Sequence, residues 1–145
     1  MGEITCNPHN NSWGTIFDCQ QDANPAIGFK LIILNQNNDD NLHLYAYGKS
    51  VKINISCWKD APNIKFVLTH EANTNKVTFK YLFNGSVTEI SITGSVAFQP
   101  YSNTLTLAAR KKNDGNFDRN WFGTCHDFIV LNRIATDEEI ATYLS

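Results

Sequence analysis

Ile64-Lys65-Phe66-Val67-Leu68-Thr69-His70, then Lys76-Val77-Thr78-Phe79-Lys80-Tyr81-Leu82-Phe83, then Asn84-Gly85, then Val87-Thr88-Glu89-Ile90-Ser91-Ile92: this stretch decides the fold class. Ile64, Phe66 and Leu68 recur at every second position, and so do Val77, Phe79, Tyr81 and Phe83. Successive side chains of a strand point to opposite faces, so period two marks a strand buried on one side. Asn84-Gly85 is a hairpin signal, because a two-residue type I′ turn needs positive φ at both central positions. Asn73-Thr74-Asn75 supplies a second polar turn.

Working outward, the same grammar continues. Further strands are expected at 15–19, 28–34, 42–47, 51–58, 103–110 and 123–132, separated by Asn, Asp and Gly. Leu105, Leu107 and Ala109 alternate, and Gly48-Lys49 is positioned to close another hairpin. Thr136-Asp137-Glu138-Glu139 has the pattern of a helix capping box, and Ile140, Tyr143 and Leu144 follow as a small apolar stripe. Many short strands followed by one helix predict an all-β antiparallel sandwich with a short C-terminal helix docked on a sheet. Tyr81, Leu107, Cys125, Phe128 and Val130 are expected in its core.

The 145 residues suit one domain, 1–145, a module able to stand inside a larger protein. Hydrophobic residues make up 42% of the chain, enough for one core, while charged residues are only 18%. The surface must therefore be polar largely without charge, and 18 asparagines fill that role. With a net charge of −2 and no basic cluster beyond Arg110, Lys111 and Lys112, a nucleic-acid partner is not expected. No apolar run approaches a membrane span, and the first residues lack signal-peptide character. The four cysteines show no CxxC spacing. Cys57 and Cys125 lie in apolar runs and read as buried thiols, while Cys6 and Cys19 flank a turn-rich segment where one bridge would fit an exported protein.

From Leu105 onward the chain resembles laminin-G-like, concanavalin A-like jelly rolls. That family commonly ends in L-x-I-G, a loop, F-x-G-x-I-D-D-V-R-I-Y-N-R, and a helix beginning S-x-E-E-I. Here the matching stretches are Leu105-Thr106-Leu107-Ala108, then Trp121-Phe122-Gly123-Thr124-Cys125-His126-Asp127-Phe128-Ile129-Val130-Leu131-Asn132-Arg133, then Thr136-Asp137-Glu138-Glu139-Ile140. Residues 64–85 resemble the family's central hairpin. Ala108 stands where the family usually has Gly, Cys125 and His126 depart from the I-D pair, and the family's first strands are short or missing. The resemblance implies a jelly roll, a fold that hosts lectins, glycanases, adhesion modules and structural domains alike.

Catalysis is not expected. Retaining glycoside hydrolysis needs two carboxylates about 5 Å apart, and no strand here alternates them. The histidines His9, His43, His70 and His126 have no close metal spacing, and no cofactor is expected. Calcium is the one ion whose ligand chemistry is represented, by Asn38-Asp39-Asp40-Asn41 and by Asp114-Gly115-Asn116 with Asp118.

Binding is expected on two surfaces. If 42–47 and 50–56 pair around Gly48-Lys49, one outward face carries His43, Tyr45, Tyr47, Lys52 and Asn54, with Trp58 at its margin. Rings that stack on a pyranose, beside amides and amines that exchange hydrogen bonds with hydroxyls, suit a glycan. The second surface is the loop holding Asp114, Asn116, Asp118, Arg119 and Asn120, where a guanidinium could clamp an acidic sugar. The expected function is a non-catalytic lectin-like or adhesion module for a glycan or cell-surface polysaccharide, at an extracellular or virion surface such as a phage tail. The alternative is a structural, protein-interaction domain that self-associates or meets another protein through a sheet edge.

Overall fold

The computed structural model describes residues 1–7, 13–20, 26–34, 40–57, 62–71, 73–95, 105–112 and 114–145. The strands are β1 (Gly2–Cys6), β2 (Gly14–Asp18), β3 (Phe29–Ile33), β4 (Asn41–Ala46), β5 (Lys49–Ser56), β6 (Asn63–Glu71), β7 (Lys76–Phe83), β8 (Ser86–Thr93), β9 (Thr106–Leu107), β10 (Arg110–Lys111), β11 (Phe117–Asp118) and β12 (Gly123–Phe128), followed by helix α1 (Asp137–Tyr143). Two five-stranded sheets form, in the orders β12-β1-β6-β7-β8 and β5-β4-β3-β2-β9, with β10 and β11 as a small separate ribbon. Every strand-to-strand ladder among the described residues is antiparallel.

The sheets pack face to face around aromatic rings. Phe17 from one sheet stacks on Phe66 from the other, with centroids 6.0 Å apart, and Phe66 stacks in turn on Phe79 at 5.5 Å. The expected alternation holds in the central meander: Ile64, Phe66, Val77 and Phe79 are buried, with Leu68, Tyr81 and Phe83 packed against them. Asn84 (φ 49°) and Gly85 (φ 73°) both adopt positive φ, as the hairpin signal requires. The capping box is present: the Glu139 N–H donates to the Thr136 hydroxyl at 3.2 Å, and the Thr136 N–H donates to the Glu139 carboxylate at 2.8 Å. Ile140 and Leu144 then bury against Val67, on the outer side of the meander.

Three expectations need correction. No strand is expected ahead of residue 15, yet β1 lies between β12 and β6 and places Ile4 and Cys6 in the core. Of the strand expected at 103–110, residues 103 and 104 lie outside the described residues; the rest forms only β9, with Arg110–Lys111 turned into the ribbon and Ala108 between them at φ 61°. The strand expected at 123–132 stops at Phe128. Among the described residues both β9 and β12 are sheet edges. Leu105 and Leu107 at β9 and Cys125 and Val130 at or beyond β12 are accordingly exposed, Val130 at 69%, while Phe128 at the end of β12 and Tyr81 on β7 are only half-buried. The four cysteines are thiols, with no bridge between Cys6 and Cys19: Cys6 and Cys57 are buried, Cys19 is half-buried, and Cys125 faces solvent.

Candidate functional site

The β4–β5 hairpin does not turn at Gly48-Lys49. Tyr47 (φ 44°) and Gly48 (φ 80°) are the two turn residues, and Ala46 faces Lys49. A type I′ turn favours glycine at its second position, as in Asn-Gly, and Gly48 takes that position here. The register therefore slides by two residues: Tyr45 faces Ser50 and His43 faces Lys52. An even slide leaves the faces unchanged, so His43, Tyr45, Lys52 and Asn54 still share the outer face while Leu42, Leu44, Ile53 and Ile55 are buried.

Tyr47 is the exception. Inside the turn it leaves the alternation and swings into the core, fully buried and stacked on His70 with centroids 5.2 Å apart. Its backbone is held on both sides, by its N–H on the Gly28 carbonyl at 2.9 Å and by its carbonyl under the Ser95 N–H at 3.0 Å. Gly94 presses so closely that a Cβ there would stand 2.2 Å from the Tyr47 Cβ. Tyr47 is thus a core residue and not part of the outer face. Trp58 lies outside the described residues.

The outer face is also less open than the pattern suggests. Thr15, Ile32 and His43 lie in one row across β2, β3 and β4, and all are buried, His43 at 8% exposure. The open part is the neighbouring row, where Lys30, Tyr45 and Ser50 face one another across β3, β4 and β5. The Lys30 ammonium sits 5.1 Å from the Tyr45 ring centroid, a cation–π distance, and the His43 ring lies 6.4 Å from Tyr45. Lys52 and Asn54 are exposed beside them. Lys30 is an addition that the hairpin alone does not reveal, since it depends on β3 neighbouring β4, while Ser50 faces Tyr45 where the expected pairing sets it against Tyr47. The result is a half-buried ring with Lys30, Ser50, Lys52 and Asn54 about it, and with the buried Asp18 of β2 facing Lys30.

No protein-family model, curated protein or solved structure matches this chain.

The second expected surface is mostly engaged in holding itself together. Arg110 grips Asp118 through Nε at 2.8 Å and Nη2 at 2.6 Å, and the guanidinium holds the Asp118 carboxyl below the usual carboxylate range. Asp114 caps its own turn by accepting the Asn116 N–H at 2.9 Å, which lowers its pKa likewise. The Arg119 guanidinium lies 4.4 Å from the centre of the Trp13 ring, and Asn120 bridges to Thr15. Trp121 is buried. Among the described residues no group of three His, Cys, Asp or Glu side chains is arranged to hold a metal. Asp40 accepts the Ser56 hydroxyl in a short hydrogen bond, while Asn38 and Asp39 lie outside the described residues.

A separate cleft of about 800 Å³ opens between the sheets. Phe17 and Phe29 line one wall, Phe66 and Leu68 the other, and 128–135 the rim. Two of its polar groups are engaged within the protein. The Cys19 thiol donates to the Phe29 carbonyl at 3.0 Å, and Arg133 is paired with Glu139 at 2.6 Å. Burial holds the His70 imidazole below its usual pKa and so favours its neutral form, against the pull of Glu71. Such walls suit an apolar molecule and offer a polyol little. Among the described residues no helix is long and apolar enough to cross a membrane.

Proposed function

We propose that this domain is a non-catalytic, lectin-like recognition module that binds glycans on the outer face of β3, β4 and β5. The observation that carries the reading is Tyr45: a half-exposed ring fixed on a rigid hairpin, with Lys30, Ser50, Lys52 and Asn54 around it. A pyranose stacks its apolar face on such a ring while the surrounding groups exchange hydrogen bonds with its hydroxyls. Lys52, exposed on this face, favours an acidic sugar over a neutral one, while Lys30 has the Asp18 carboxylate opposite it. Kinship with the laminin-G-like jelly rolls belongs to the same proposal.

The disposition of the carboxylates supports binding over catalysis. Asp118 is held by Arg110, Glu139 by Arg133, Glu89 by Lys80, and Asp127 accepts the Tyr143 hydroxyl at 3.2 Å. Each performs a structural task, and a general acid or nucleophile has to be available to substrate. An open sheet face covers only part of a sugar, so one site should bind near millimolar, about −4 kcal/mol. Attachment to a cell-surface or virion polysaccharide then requires several copies together.

The test is a multimerised form of the domain on a glycan array, beside Tyr45→Ala with its melting temperature measured. Retention of acidic glycans, lost in Tyr45→Ala at unchanged fold, is expected. Binding that survives Tyr45→Ala, or an array with no retained glycan, overturns the reading.

A further inference from the structure

Among the described residues the two sheets present four edge strands: β12 and β8 on one, β5 and β9 on the other. Exposed edges template pairing with other chains, and folded proteins blunt them with short length, bulges, lysines or proline. Three of the four carry such devices. β9 has two residues, β12 is bulged against β1, and β5 carries Lys49 and Lys52 together with a register break against β4. β8 carries none. Its eight residues, Ser-Val-Thr-Glu-Ile-Ser-Ile-Thr, pair with β7 from Ser86 to Thr93 without a register break. They include no glycine, proline or lysine, and the one charge, Glu89, is matched by Lys80 at 3.1 Å. Val87 is 56% exposed. Among the described residues, 86–93 makes no backbone hydrogen bond outside its ladder with β7.

We propose that β8 is a self-association edge, on which a second copy of this chain adds its own β8 antiparallel about a twofold axis, so that the two five-stranded sheets become one. The register follows from the hairpin. Phe83 and Ser86 close a two-residue turn and are a hydrogen-bonded pair, so Ser86, Thr88, Ile90 and Ile92 direct their N–H and C=O toward β7. Val87, Glu89, Ser91 and Thr93 direct theirs outward. An axis at Ile90 uses all four: Val87 faces the second copy's Thr93, and Glu89 faces its Ser91, each pair exchanging two hydrogen bonds. On the inner face Ile90 meets its own copy and Thr88 meets Ile92. An axis at Glu89 would set two carboxylates directly opposite, which is unfavourable, and an axis at Thr88 or Ser91 leaves outward groups unpaired. β5 lies against β8, and its lysines keep the second sheet from joining in. The occupant is a second copy because the strand is complementary to itself in this one register. The inference does not rest on glycan binding.

Sedimentation velocity of the intact chain, from low micromolar to near-millimolar concentration, should show a monomer–dimer equilibrium. Ser91→Pro removes an outward N–H while sparing the ladder with β7, and should weaken the dimer about tenfold or more. Val87→Glu with Thr93→Glu places like charges opposite in the stated register and should abolish it, while the carboxylate introduced at position 93 still faces Lys76 in its own chain. Val87→Lys with Thr93→Glu should restore it. If Ser91→Pro fails to fold, the charge pairs decide. A wild-type chain that stays monomeric throughout, or a dimer indifferent to both charge pairs, overturns the proposal.

Discussion

Replacing Tyr47 and Tyr45 separately by alanine should have opposite consequences, although the two residues are neighbours in an alternating hairpin. Tyr47 is fully buried, stacked on His70 and pressed by Gly94. A tyrosine buries about 150–250 Å², which at roughly 25 cal/mol per Å² is at most 4–6 kcal/mol. Rehydration of the hydroxyl returns part of this, so Tyr47→Ala should cost about 3 kcal/mol, consistent with aromatic-to-alanine losses in packed cores. For a chain of 145 residues that is roughly a 10 °C drop in melting temperature. Tyr45→Ala removes a half-exposed ring and should cost less than about 1 kcal/mol. A third variant isolates the backbone. Asparagine tolerates the positive φ of 44° better than alanine, so Tyr47→Asn should melt about 3 °C above Tyr47→Ala, although both lack the ring. Calorimetry on the three variants is the assay. A Tyr47→Ala melt within about 3 °C of wild type, or a Tyr45→Ala melt as low as Tyr47→Ala, would refute the assignment of the two faces.

Thr136→Ala should cost about 1 kcal/mol by removing the cap of α1, read as a shift in urea midpoint at unchanged slope. The Arg133 guanidinium and the Thr136 N–H hold the Glu139 carboxyl down at about 2, against 4.5 ordinarily. A depressed carboxyl contributes stability that is present above its ordinary pKa and fades as pH falls from 4.5 toward 2. Glu139→Gln should flatten that part of the acid-unfolding curve. Ala108 holds φ 61°, so Ala108→Gly should raise stability by about 0.5–1 kcal/mol in thermal melts. Under native conditions a maleimide should label Cys125 quickly, with Cys6 and Cys57 reacting only on unfolding; equal rates would contradict the burial assigned to them.

What is legible in the sequence is what is local. Lys76–Phe83 emerges with the same bounds as its alternation, Asn84-Gly85 turns as its residue types require, and Thr136 caps where the box begins. What is not legible depends on partners distant in sequence. β1 offers only Ile4 and Cys6 as an apolar pattern, and its role is set by β6 and β12 on either side. The exposure of Leu105 and Leu107 follows from how short β9 is, which their own spacing does not reveal. At the candidate site, parity protects His43 and Tyr45 from an error of two in register, and Gly48 at the second turn position is the signal that removes Tyr47. That Lys30 lies over Tyr45 while Ile32 and Thr15 are covered is a property of strand order, and no single strand encodes it.

The position of β1 also dictates an order of events in folding. β6, β7 and β8 form a meander joined by short turns and can assemble as soon as they are made. β1 cannot, because Gly2 faces Phe66 on one side and Phe128 on the other, so its ladder waits for strands far along the chain. Closing such long loops is slow, and a chain with this topology should fold over milliseconds to seconds rather than microseconds. During that interval, among the described residues, β6 lacks its outer neighbour until β1 arrives, and β8 has no strand beyond it. A nascent chain crowded by its own copies would meet them through these flanks, so the edge proposed to pair in the native state is also a place where synthesis at high concentration would go wrong.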